Sequence, residues 1–177
     1  MPANAGIQFL PAHLKFWVPA FAGTSGILGY SLTVSIREDA MAAQGQMTGM
    51  QGVYLVAAEL TRLGLIVSVT SRNARGADLF ATDQSYKKTW SIQVKTSRKP
   101  VTYWPLGQHY KSEISKTHIY IFVNLRGKEK PDYYIVSSQT VAKKGRTFER
   151  PKGPWHIFKR EGLKLDDWSV FGVTQSN

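Results

Sequence analysis

Between positions 89 and 95 the chain alternates strictly. Trp90, Ile92 and Val94 take one parity, and Ser91, Gln93 and Lys95 take the other. A period of two means an extended strand, because successive side chains leave opposite faces of the backbone. Three large apolar side chains on one face must be covered by another layer. The segment therefore commits the chain to a sheet with one packed face. Its opposite face keeps a serine, an amide and an amine in line.

The neighbouring sequence supplies candidates for that layer. From Met47 onward, Val53, Val56, Ala57, Leu60 and Gly64 recur at helical spacing. Thr48 and Gln51 stand at capping-box spacing, which predicts a helix start there, and Gly64 is suited to end the helix in a left-handed conformation. Residues 65–69 read as a buried strand, 71–76 as a polar, basic loop and 77–82 as a second strand. Asp83 heads the turn before the third. Two further strands are expected over 118–125 and 132–137, and a short helix from Thr140. Residues 155–171 mix apolar and charged side chains without a clear period. One helix followed by several strands predicts an α/β (α+β) fold with a mixed central sheet flanked by helices.

Residues 1–46 read differently. They hold two basic residues, Lys15 and Arg37, and two acidic ones, Glu38 and Asp39, so the whole net charge of +11 lies in 47–177. The apolar run from position 16 to 36 is broken by Pro19, Gly23, Gly26 and Gly29, which argues against a membrane span. Tyr30, Leu32, Val34 and Ile36 alternate with Ser31, Thr33 and Ser35, a short-strand pattern. The opening text resembles the translation of a dispersed bacterial intergenic repeat. The expectation is a disordered or mis-started extension over 1–46 and one folded domain over 47–177.

The chain has no cysteine, which excludes disulfides and thiolate chemistry and fits a reducing cytoplasm. The histidines show no metal-ligand spacing. A net charge of +11 over 177 residues favours a polyanion partner, and no basic amphipathic helix points to a membrane instead.

Three segments carry polar residues that packing does not require. Glu59 stands on the helix beside Leu55, Val56 and Leu63, where it needs a partner; Arg62 is the plain candidate. Asp78 opens a strand, which aspartate disfavours. Gln93 and Lys95 share a strand face. In this order and spacing the residues resemble the PD-(D/E)XK nuclease superfamily, the restriction-endonuclease-like fold, and in particular its small Holliday-junction-resolvase-like members.

That resemblance covers residues 52–98. It implies a divalent-metal-dependent DNA endonuclease of repair, recombination or restriction type. Glu59 would match the helix acid, Asp78 the metal-binding aspartate, Gln93 the (D/E) position and Lys95 the lysine. Mg²⁺ or Mn²⁺ would be held by Asp78, Gln93, the Val94 carbonyl and Glu59. Glutamine is a departure from the usual carboxylate and removes one charge from the site. Arg72, Arg75, Lys87, Lys88, Arg98 and Lys99 would bind duplex or branched DNA through phosphates. Cutting both strands of a duplex would suit a homodimer. Tyr103, Trp104 and Tyr110 are either stacking aromatics or core. Two other functions fit the same residues: a DNA-binding module on this fold that has lost catalysis, and a basic RNA- or protein-binding domain in which the motif is fortuitous.

Overall fold

A computed structural model describes residues 27–71 and 76–172, with side chains from position 38 onward. The chain divides into two units between Glu38 and Asp39. In the first unit, the described part is the opening of the helix α1 (Ile27–Arg62).

The second unit is a mixed α+β structure. Its main sheet contains β1 (Ile66–Val69), β2 (Leu79–Thr82), β3 (Thr89–Ser97), β5 (His118–Arg126) and β6 (Glu129–Ser137), in the order β1-β2-β3-β5-β6. Every pairing is antiparallel except β3 with β5, which is parallel. A parallel pair needs a long crossover. That crossover contains β4 (Tyr103–Pro105), which joins β8 (Trp155–Lys159) and β7 (Arg146–Phe148) in a second, antiparallel sheet of order β4-β8-β7. The helix α2 (Ser138–Lys144) follows β6, capped by the Ser137 hydroxyl. Trp168–Phe171 form a closing 3-10 turn.

The alternation of β3 divides the core in two. Trp90, Ile92 and Val94 join Leu79, Ala81, Ile119, Ile121 and Val123 on the face covered by Val53, Val56 and Leu60 of α1 and by Trp168 and Phe171. The other face carries Tyr120, Phe122, Tyr134 and Val136, covered by Trp104, Phe158 and Val141. Trp104 and Tyr110 are thus core, while Tyr103 is exposed. β5 lies in mid-sheet and is buried from His118 to Leu125.

Two glycines have specific roles. Gly64 has φ +84°, and the Leu65 amide donates back to Leu60 O at 3.1 Å. This is the left-handed helix end that the sequence predicts. At Gly52, a Cβ would run into the Thr96 side chain, so a bare backbone is what lets α1 approach β3 so closely.

Three expectations fail. Residues 65–69, read as a buried strand, form β1 at the sheet edge, and from Ile66 to Val69 it is mostly exposed. Residues 30–36, read as a strand, are helical, and α1 runs unbroken past Thr48. The Thr48 hydroxyl donates to Gln44 O, a mid-helix bond rather than a cap.

Candidate functional site

β2 is shorter than β3. Its last pair towards the site is Leu79 with Ile92, and the Asp78 amide adds one more bond, to Ile92 O at 2.8 Å. Beyond that point, among the described residues, β3 has no paired strand on the β2 side. Backbone groups alternate between the two sides of a strand. The Ser91 amide donates to Thr117 O on the β5 side, so the Val94 amide and carbonyl face the gap beside β2.

The Asp78 carboxylate fills that gap. Its Oδ2 accepts from the Val94 amide at 2.7 Å and from Gln93 Nε2 at 2.6 Å. With Gln93 donating through its nitrogen, Oε1 is the atom left to accept, as is Asp78 Oδ1. The half-buried Asp78 is held from behind as well: Thr70 N donates to Asp78 O at 3.0 Å, and the Thr70 hydroxyl to Ala77 O at 2.8 Å. Lys95, two positions beyond Gln93, shares its face and is half-buried. Its amine has no ion-pair or hydrogen-bond partner among the described residues.

The helix side of this site is apolar. A hollow of about 210 Å³ beside Asp78 is lined by Gln46, Met47, Met50 and Val53 from α1, and by Val69, Thr70 and Ser71. Glu59 does not line it. Its carboxylate meets Arg62 at 2.9 Å, the plain ion pair, and its field reaches Tyr133 and Lys130 on β6. Val53 and Glu59 are six residues apart, roughly 240° around the helix axis. Helical phase was the available signal that one residue cannot stand in for the other.

The basic residues separate. Lys87 and Lys88 lie in the β2–β3 turn, where their amides donate to Asp83 Oδ1. Desolvation raises the Asp83 carboxyl, but the Lys88 and Lys87 amides, the Ser85 hydroxyl and the Lys87 charge together hold it below the usual range. Asp83 is thus the turn residue the sequence indicates. That turn lies at the end of the hairpin away from Asp78, about 13 Å along the strands. Arg98 and Lys99 follow β3 at the Lys95 end. Arg72 and Arg75 fall outside the described residues.

A pair not singled out by the sequence lies on the same face. Ser91 Oγ and His118 Nδ1 are 2.8 Å apart, beside an open groove of about 450 Å³ lined also by Gly76, Phe80, Glu113 and Ile114. Burial lowers the His118 pKa, and Glu113 opposes that shift. The same burial, with the Glu113 charge, pushes the Tyr120 hydroxyl up to about 12. A histidine 27 residues from its serine partner leaves no local sequence mark.

Among the described residues no three His, Cys, Asp or Glu side chains gather in one place. A metal here would instead find one carboxylate oxygen, one amide oxygen and one backbone carbonyl. That all-oxygen set fits Mg²⁺, which keeps several of its waters, although it supplies only one negative charge.

No family model matches the chain, and no curated protein matches it. Among solved structures it is similar to Hjc, a Holliday junction resolvase from the archaeal hyperthermophile Archaeoglobus fulgidus. The two are 11% identical over 63% of this chain and 88% of that one, with a TM-score of 0.41.

Proposed function

We propose that the protein is a divalent-metal-dependent DNA endonuclease that hydrolyses phosphodiester bonds. The observation that carries this reading is the meeting of Asp78, Gln93 and the Val94 backbone at the gap beside β2, with Lys95 on the same strand face. Nothing in sheet packing requires a carboxylate, an amide and an amine together at that edge.

Each residue has a task in that reaction. Asp78 Oδ1, Gln93 Oε1 and the Val94 carbonyl would hold the ion. Bound there, it would polarise a phosphate and acidify a water. The bonds on Asp78 Oδ2 fix the carboxylate, so that its other oxygen faces the site without reorganisation. Lys95 would orient the attacking water and offset charge developing on the phosphate. Glu59, paired with Arg62 and absent from the hollow's lining, is given no ligand role. Arg98 and Lys99 extend the positive surface from the Lys95 end, where phosphates on either side of the cut would lie.

A second reading is a DNA-binding module on the same fold without catalysis. Two features favour it: the amide at Gln93, and the apolar Met50 and Val53 on the helix face next to Asp78. One experiment separates the readings. Duplex and four-way branched DNA are incubated with the full chain in Mg²⁺ or Mn²⁺. The enzyme reading expects nicked or cut products that disappear in Asp78→Ala and Lys95→Ala, while both variants still shift the DNA in a gel. Binding without cleavage by the native chain would support the second reading and sink the first.

A further inference from the structure

The second sheet has an unusual outer face. Its registers pair Trp104 with Phe158, and Thr147 with His156; Tyr103 pairs with Lys159, and Phe148 with Trp155. Trp104 and Phe158 point inward, stacking on Phe122 at 5.0 and 4.9 Å between ring centres. By alternation, Tyr103, Lys159, Ile157, Trp155, Phe148 and Arg146 share the other face, where Ile157 at its centre is buried and Trp155 and Lys159 are half-buried.

The rings on that face form a continuous row. Tyr103 lies 5.5 Å from Trp155, and Phe148 lies 6.0 Å from it on the other side. Tyr103 is 42% exposed and Phe148 43%. Leaving a row of aromatic rings in water is unfavourable unless something covers it. The Arg150 guanidinium stacks 3.7 Å above the Trp155 ring.

Charge identifies the cover. Between positions 143 and 160 the chain carries seven basic residues and one acidic residue, Glu149. Lys159 is partly neutralised by Glu161 at 3.4 Å. Arg146 and Arg150 have no ion pair among the described residues. Tyr103 meets Trp155 edge-on at 88° and Phe148 is tilted to it by 44°, so the rings offer separate faces rather than one plane. With Arg146 and Arg150 beside them, they match a partner that is flat and apolar in its bases and anionic in its backbone. We infer that the outer face of the β4-β8-β7 sheet binds single-stranded nucleic acid, with unpaired bases stacked along Tyr103, Trp155 and Phe148 and phosphates on Arg146, Arg150 and Lys159. Stacking of this kind tolerates any base sequence. A duplex hides its ring faces and would gain only from the cations. The inference does not rest on the Asp78 site: the face binds whether or not the protein cuts.

The test measures binding of the full chain to a fluorescent oligothymidylate of about 20 nucleotides, to a duplex of equal charge and to a polyglutamate peptide. The Tyr103→Ala/Phe148→Ala double variant is expected to lose at least about fivefold in affinity for the single strand and less than about twofold for the duplex. Arg146→Glu should weaken both nucleic acids. In a Trp17→Phe background, saturating oligothymidylate should also quench tryptophan fluorescence, and Trp155→Phe should remove that quench, since of the other tryptophans Trp90, Trp104 and Trp168 are buried. This readout decides the matter should the double variant fail to fold. Undiminished single-strand affinity in a folded double variant, a quench that survives Trp155→Phe, or equal binding of polyglutamate would each overturn the assignment.

Discussion

At the scale of the residue, the deciding position is Gln93. Its amide nitrogen stands 2.6 Å from Asp78 Oδ2, a favourable donor-to-carboxylate contact. In Gln93→Glu that donor becomes a second carboxylate at the same distance. Two like charges this close cannot both ionise freely, so the variant should lose about 1–3 kcal/mol of stability at neutral pH without metal. The folded pair would titrate with a raised pKa, so the loss is present at neutral pH and eases as pH falls through that raised value. Added Mg²⁺ or Mn²⁺ should reverse it, because the new oxygen is a charged ligand. Melting temperature followed against metal at neutral pH and again in mild acid measures both effects. If metal stabilises the native chain and Gln93→Glu to the same extent, Gln93 is not a ligand position.

At the scale of the element, Gly52 sets how closely α1 lies on β3. Alanine there would gain up to about 1 kcal/mol of helix propensity, yet its methyl would meet the Thr96 side chain. Overpacking costs about 1–3 kcal/mol and should dominate, so Gly52→Ala is expected to lower the melting temperature by several degrees. Adding Thr96→Ala should return part of that stability, and a double-mutant cycle measures the coupling. Elements with a long, one-sided pattern were legible. β3 showed its period from Thr89 to Lys95, and Gly64 announced the end of α1. β4 and β7 were not, because so short a strand cannot establish a period. Residues 30–36 misled for a different reason. Alternation says only that a strand would have two distinct faces, whereas a strand also needs a neighbour for its amides and a helix does not. The meeting of Asp78 with Gln93 was legible, since Gln93 lies on one strand of the hairpin and Asp78 directly precedes the other. The helix contribution was not. Glu59 was the conspicuous acid, but helical phase decides which residues line the hollow beside Asp78, and those are Gln46, Met47, Met50 and Val53.

At the scale of the whole molecule, charge and core packing both concentrate in the later part of the chain, within the second unit, which begins at Asp39. All of the net +11 lies in 47–177, and the core packing of α1 begins at Val53. Residues 39–47 of the second unit are all exposed, Met41 and Met47 at 73% and 70%, so that stretch of the helix buries little area. A chain beginning at Met47 should therefore melt within a few degrees of the full chain and bind duplex DNA equally well. Its affinity should fall steeply and log-linearly with salt, because neutralising phosphates releases counterions. Charge reversal of Arg98 and Lys99, at the Lys95 end of β3, should weaken binding for every sequence and reduce the slope by about one for each phosphate no longer neutralised. Reversal of Lys87 and Lys88 tests how far the footprint runs, since their turn lies at the opposite end of the hairpin. An unchanged slope there, with a reduced slope at Arg98 and Lys99, would confine the duplex to the Asp78 end of the sheet. Salt-independent binding in every variant would mean that the cations do not hold DNA, and the basic charge would then need another partner.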